Sequence, residues 1–127
     1  MGKHQREKGA RAEREAAELW QLAGFTDARR RATGEEAQEA QGRDLKGTPG
    51  FCVQVKNSRR DTVHGALAEA RAAARPLEVP LAFYRRDRLP FVVVLAPEDF
   101  FLMVCTLRGM PLPAPASGYP RGEGSDG

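Results

Sequence analysis

Six residues, Phe51-Cys52-Val53-Gln54-Val55-Lys56, constrain this chain more than any others. Alternate side chains of an extended segment share a face, so Phe51, Val53 and Val55 point one way and Cys52, Gln54 and Lys56 the other. The first set reads as core, the second as a polar working face. Just upstream lies Gly42-Arg43-Asp44-Leu45, which sets an acid, an amide oxygen and an ammonium on one short hairpin. Those types suit a divalent cation held against a phosphate, because a hard cation such as Mg²⁺ takes carboxylate and carbonyl oxygens together with substrate phosphate oxygens. An ordinary amphipathic strand ending in a solvated lysine would have the same pattern.

The connection decides whether Asp44 joins Gln54. Directly opposed residues of an antiparallel pair share a face, so the loop around Gly47-Thr48-Pro49-Gly50 must contain an odd number of residues. Pro before Gly favours a type II turn, a poor match to strand twist in a tight hairpin. A looser five-residue loop is therefore expected.

A chain of 127 residues is long enough for one domain with a buried core. The expected division is a folded part over 1–107 and a tail over 108–127, where Pro, Gly and Ser dominate and disorder is expected. The 20 basic residues exceed the 17 acidic ones by three, and arginine supplies most of the positive charge. Guanidinium pairs bidentately with phosphate, which leans toward nucleic acid, although a GC-rich or thermophilic source would also enrich arginine. Cys52 and Cys105 lack metal-ligand spacing and read as reduced core thiols; His4 and His64 stand apart, so zinc is not expected. No apolar run reaches bilayer length. The expectation is a soluble, cytoplasmic protein with no membrane partner.

Along the chain, Ala12, Ala16, Leu19 and Ala23 fall at helical spacing within 8–23, and Gly24-Phe25 reads as a left-handed cap with an apolar residue folding back. A brief strand is expected at 29–31, then a mobile polar loop at 33–42. The run 62–75 reads as a helix capped by Asp61 or Thr62 and stopped by Pro76. Strands follow at 79–85 and 91–95, and Pro97-Glu98-Asp99 opens a last helix to Cys105. The order is α-β-β-β-α-β-β-α. A strand at Gln54, a crossover helix and a returning strand make a right-handed parallel unit, so the fold class is α/β with a mixed sheet flanked by helices.

Lys8-Gly9-Ala10-Arg11-Ala12-Glu13-Arg14-Glu15, then Gly24-Phe25 and Arg29, then Asp44 and Gln54-Val55-Lys56 together resemble the archaeal-type Holliday junction resolvases of the PD-D/E-x-K nuclease superfamily. The resemblance runs from about 8 to 104 and implies a restriction-endonuclease-like sheet. It makes Glu13 the helix carboxylate that reaches the metal, Asp44 the central ligand, Gln54 the second motif position and Lys56 the motif lysine. Arg14 and Arg29 fall where the family keeps basic residues for DNA and catalysis, and Thr33 where it keeps a serine. Gln54 departs from the pattern, since these resolvases usually carry a carboxylate there. An amide oxygen still coordinates Mg²⁺, but one negative charge is lost.

The resemblance implies a metal-dependent endonuclease acting on branched DNA from a prokaryote or phage. Asp44, Gln54 and the Val55 carbonyl would hold Mg²⁺, with Mn²⁺ as a substitute and Glu13 assisting, while Lys56 orients water or stabilises the pentacovalent phosphate. Lys8, Arg11, Arg14, Arg29, Arg30, Arg31 and Thr33 are the expected DNA contacts; solvated basic surface is the plainer use of these charges. A near-symmetric four-way junction implies a homodimer, and Phe100, Phe101, Leu102 and Met103 offer an apolar patch for either a dimer or a core. The alternatives are a restriction-like or repair nuclease on the same scaffold, a DNA-binding module without catalysis, or an α/β domain with no nucleic-acid role.

Overall fold

The computed structural model describes residues 3–31 and 43–109. The chain forms two compact units, residues 1–94 and 95–127. The expected loop at 33–42, Thr33 included, and the tail beyond 109 lie outside the described residues.

In the first unit, α1 (Lys3–Leu22) starts five residues earlier than its apolar spacing predicts. It buries Ala12, Ala16, Ala17 and Trp20. Leu19, expected on that stripe, is 45% exposed: Trp20, one residue on and about 100° round a helix of 3.6 residues per turn, takes the inward position beside Ala12 and Ala16. Gly24, at φ 107°, ends the helix. Its N–H donates to the Gln21 carbonyl and that of Phe25 to the Trp20 carbonyl, both at 3.0 Å, the Schellman pairing. The Phe25 ring then meets Trp20 edge-on at 4.9 Å.

The short strands β1 (Arg29–Arg30) and β2 (Leu45–Lys46) pair antiparallel. They form a sheet of their own, separate from the three-stranded sheet of β3 (Phe51–Asn57), β4 (Val79–Arg85) and β5 (Val92–Val94). The expected single sheet and β2–β3 hairpin are thereby corrected. Four residues join β2 to β3, not five, and the Phe51 N–H closes a turn on the Thr48 carbonyl at 2.9 Å with Gly50 at φ 89°. That is the type II geometry of Pro-Gly, and it steers β2 toward β1.

β3 and β4 run parallel, Phe51 opposite Val79 through Asn57 opposite Arg85, linked by α2 (Val63–Ala73). β4 and β5 are antiparallel. Thr62 caps α2 by accepting from the Gly65 N–H at 2.8 Å. Trp20 of α1 stacks on Phe51 at 5.2 Å and Phe83 at 5.8 Å, which covers the odd-numbered face of β3; each such pair contributes roughly 0.5–1.5 kcal/mol beyond area burial. On the even-numbered face, Ala66 packs with Ala82 and Tyr84; alanine lets α2 approach closely. Cys52 and Gln54 are therefore buried as fully as Val53 and Val55, so only the Lys56 end of the expected polar face stays open. Neither cysteine forms a disulfide, and burial pushes the Cys52 thiol up.

The second unit contains α3 (Pro97–Arg108), with Pro at its start, Glu98 and Asp99 in the first turn, and Gly109 at φ 68° as its left-handed end. It runs three residues past the expected Cys105. Among the described residues no helix is long and apolar enough to cross a membrane.

Candidate metal and phosphate site

Asp44 sits where the two sheets meet. Its N–H donates to the Val53 carbonyl at 2.8 Å, and its own carbonyl accepts from the Arg31 N–H at 3.2 Å. Its carboxylate accepts from the Val55 N–H at 2.8 Å. The Val55 N–H therefore points away from β4, and the carbonyl of the same strand residue lies along the same edge. Next door, Arg43 is anchored to Glu78 by an ion pair, while Glu78 also accepts from the Arg75 N–H at 2.9 Å. These contacts fix the backbone that presents Asp44.

Burial pushes the Asp44 carboxyl from 3.8 up to about 6; the Val55 N–H opposes the shift, Glu13 adds to it, and Lys56 and Arg31 counter it. The charges of Glu13 and Lys56 thus both act on Asp44, one from α1 and one from β3. Glu13 itself accepts from Arg30 Nε at 3.0 Å.

Gln54, only 4% exposed, donates its amide N–H to Glu69 Oε1 of α2 at 3.1 Å. That bond fixes the amide orientation and leaves Gln54 Oε1 buried with no hydrogen-bond partner, an arrangement that costs about 1–3 kcal/mol unless something satisfies it. Lys56 Nζ lies 3.3 Å from the same Glu69 oxygen and 3.9 Å from Asp61 Oδ1. Glu69 was not foreseen as a site residue. Its signal was available, since it is the sole acid in VHGALAEARAA, but the pattern of an apolar helix gives no reason to aim it back at the strand before it.

The other expected contacts scatter. Arg11 and Arg14 are exposed on α1, and Lys8 pairs with Asp87 at 3.5 Å. Exposed Arg29 donates to the Asp27 carbonyl at 2.9 Å, Arg30 is held by Glu13, and Arg31 Nε donates to the Arg43 carbonyl at 2.8 Å. The three arginines do not form one row of open cations.

Among the described residues no group of three or more His, Cys, Asp or Glu stands together as a metal cage. The oxygen set along β3 is of another kind: one desolvated carboxylate, one orphaned amide oxygen and one backbone carbonyl. Hard cations of the Mg²⁺ type accept that donor chemistry, usually with one or two carboxylates and the rest from water and phosphate, so Asp44, Gln54 and Val55 fit such an ion. No family model matches this chain, and neither the curated proteins nor the solved structures contain a match.

Proposed function

We propose that this chain is a metal-dependent endonuclease of the restriction-endonuclease-like type that cuts branched DNA, four-way junctions in particular. One observation carries the reading: Asp44 is clamped to the backbone of Val55, one residue from a buried amide oxygen that lacks a partner and one residue from the site's lysine. The α1-to-sheet packing, the parallel β3–α2–β4 crossover and the resolvase-like residues from Lys8 to Lys56 support it.

Asp44, Gln54 Oε1 and the Val55 carbonyl would hold Mg²⁺ or Mn²⁺, with Glu13 reached through water. A cation held there supplies acidification of water and screening of charge on the phosphate. The chain's own residues do the rest. Glu69 holds Gln54 so that its oxygen faces away from α2, and restores within α2 the negative charge that an amide at position 54 lacks. Lys56, released from Glu69 by an entering phosphate, places an ammonium beside the reacting phosphorus. Phosphodiester hydrolysis needs a barrier reduction toward the upper part of ~8 to 23 kcal/mol, so these groups must act as a set. A junction's near two-fold symmetry calls for two such sites, hence a homodimer.

A second reading, a DNA-binding module without catalysis, is favoured by the amide at position 54 and by the ion pairing of Lys56. The test is cleavage of matched four-way, flap and linear duplex substrates with and without Mg²⁺. Mg²⁺-dependent cutting of the junction above the others is expected. Preference for flaps or ends points to a repair or restriction-like nuclease, and binding without cutting to the inactive module.

A further inference from the structure

We propose that the basic cavity at the C-terminal ends of β3 and β4 is a second grip on the phosphate backbone of the nucleic acid; it rests on the function proposed above. The cavity, of about 920 Å³, is lined by five bases, Lys8, Arg11, Arg85, Arg86 and Arg88, and by two acids, Glu15 and Asp87. Both acids are already neutralised. Glu15 accepts from Arg85 at 2.6 Å, and Asp87 pairs with Lys8 at 3.5 Å and with Arg59 at 2.8 Å.

Arg11, Arg86 and Arg88 form no ion pair with another described residue, and all three are exposed. Three solvated guanidiniums around one hollow make a site for an extended anion, and phosphate is the anion whose geometry guanidinium matches bidentately.

The floor is built to stay in place. Arg85 lies over the Phe91 ring at 4.3 Å and is tied to Glu15 in α1. Asn57 is its register partner across the parallel pair. The turn that presents Arg86 and Arg88 is closed by the Leu89 N–H on the Arg86 carbonyl at 3.0 Å, with Asp87 in the left-handed region at φ 52°. In α/β sheets ligands gather outside the carboxyl ends of parallel strands, and β3–β4 is the parallel pair here.

The position also suits a strand that reaches the candidate site. Lys56 faces α2 and Asn57 faces α1, on successive residues whose Cα atoms are about 3.8 Å apart. A strand crossing the end of β3 would meet both. Lys8 and Arg11, three residues apart on α1, extend the same track.

The experiment measures binding of a fluorescent four-way junction in EDTA from about 50 to 200 mM salt, a range over which phosphate contacts lose affinity steeply. The double variant Arg86→Ala/Arg88→Ala should bind roughly tenfold more weakly at low salt and show a salt slope shallower by about 1–2. Arg71→Ala/Arg75→Ala removes equal charge from α2 and the loop after it, and should keep the parent slope. The grip is overturned if the Arg86/Arg88 variant keeps parental affinity and slope, or if the Arg71/Arg75 variant falls equally. A parent chain that binds with the steep slope, loses it in the Arg86/Arg88 variant, and never cuts DNA leaves the grip standing and ends the nuclease reading; a parent that binds no DNA ends both.

Discussion

The amide of Gln54 points its N–H at Glu69 across 3.1 Å, and its oxygen stays buried without a donor. One hydrogen bond between a strand and the following helix thus decides what position 54 offers: an oxygen, oriented but uncharged. Gln54→Glu should place two carboxylates face to face. In EDTA at neutral pH that variant should lose on the order of 1–3 kcal/mol of stability through like-charge contact and the lost donor. Adding Mg²⁺ should recover more stability than it gives the parent, and Gln54→Glu/Glu69→Gln should restore the metal-free value. Urea unfolding of the parent, Gln54→Glu, Glu69→Gln and the double variant with and without Mg²⁺ reads this directly; no coupling in the double variant would show that the contact is not formed.

Asp44 carries a pH signature. Its folded pKa of about 6 exceeds the ordinary 3.8, so between those values the folded chain binds more protons than the unfolded one. Stability from this residue is fully present below about pH 4 and is lost as pH rises through 6, a change on the order of 2–3 kcal/mol. Asp44→Asn cannot titrate yet still accepts from the Val55 N–H. Relative to the parent it should gain stability as pH goes from 4 to 7.5. Parallel pH–stability curves for the two would contradict the desolvated carboxylate.

Gly47 and Gly50 separate two costs. Both have positive φ, 79° and 89°, where an alanine costs about 1–2 kcal/mol. At Gly50 a methyl would meet open space, whereas at Gly47 it would collide with the Asp27 carbonyl. Gly50→Ala should therefore cost only the backbone term, while Gly47→Ala adds roughly 1–3 kcal/mol of overpacking. Equal denaturation midpoints would mean that the loop before β3 does not press on the β1 connection.

Several local features were legible in the sequence. The Gly24-Phe25 cap, Thr62 as one of two candidate helix caps and the bounds of β4 follow from turn chemistry and alternation, which act over a few residues. Asp44 and Lys56 were legible as site candidates for the same reason: the acid stands just before one short strand and the lysine near the end of the next. What escaped depends on pairing over distance. β2 chose β1 over β3, Leu19 lost the inward position to Trp20, and α2 closed over Gln54 because alanines at 66 and 70 allow close approach. Glu69 belongs to that class, since its role exists only once the helix crosses the strand.

Single-turnover cleavage of a four-way junction in Mg²⁺ by the parent, Asp44→Asn and Lys56→Ala tests the account most directly. It predicts that the parent cuts and that each variant slows by at least roughly 100-fold, the scale of losing one transition-state contact, while junction affinity stays within about threefold. Either variant cutting at the parent rate would contradict it.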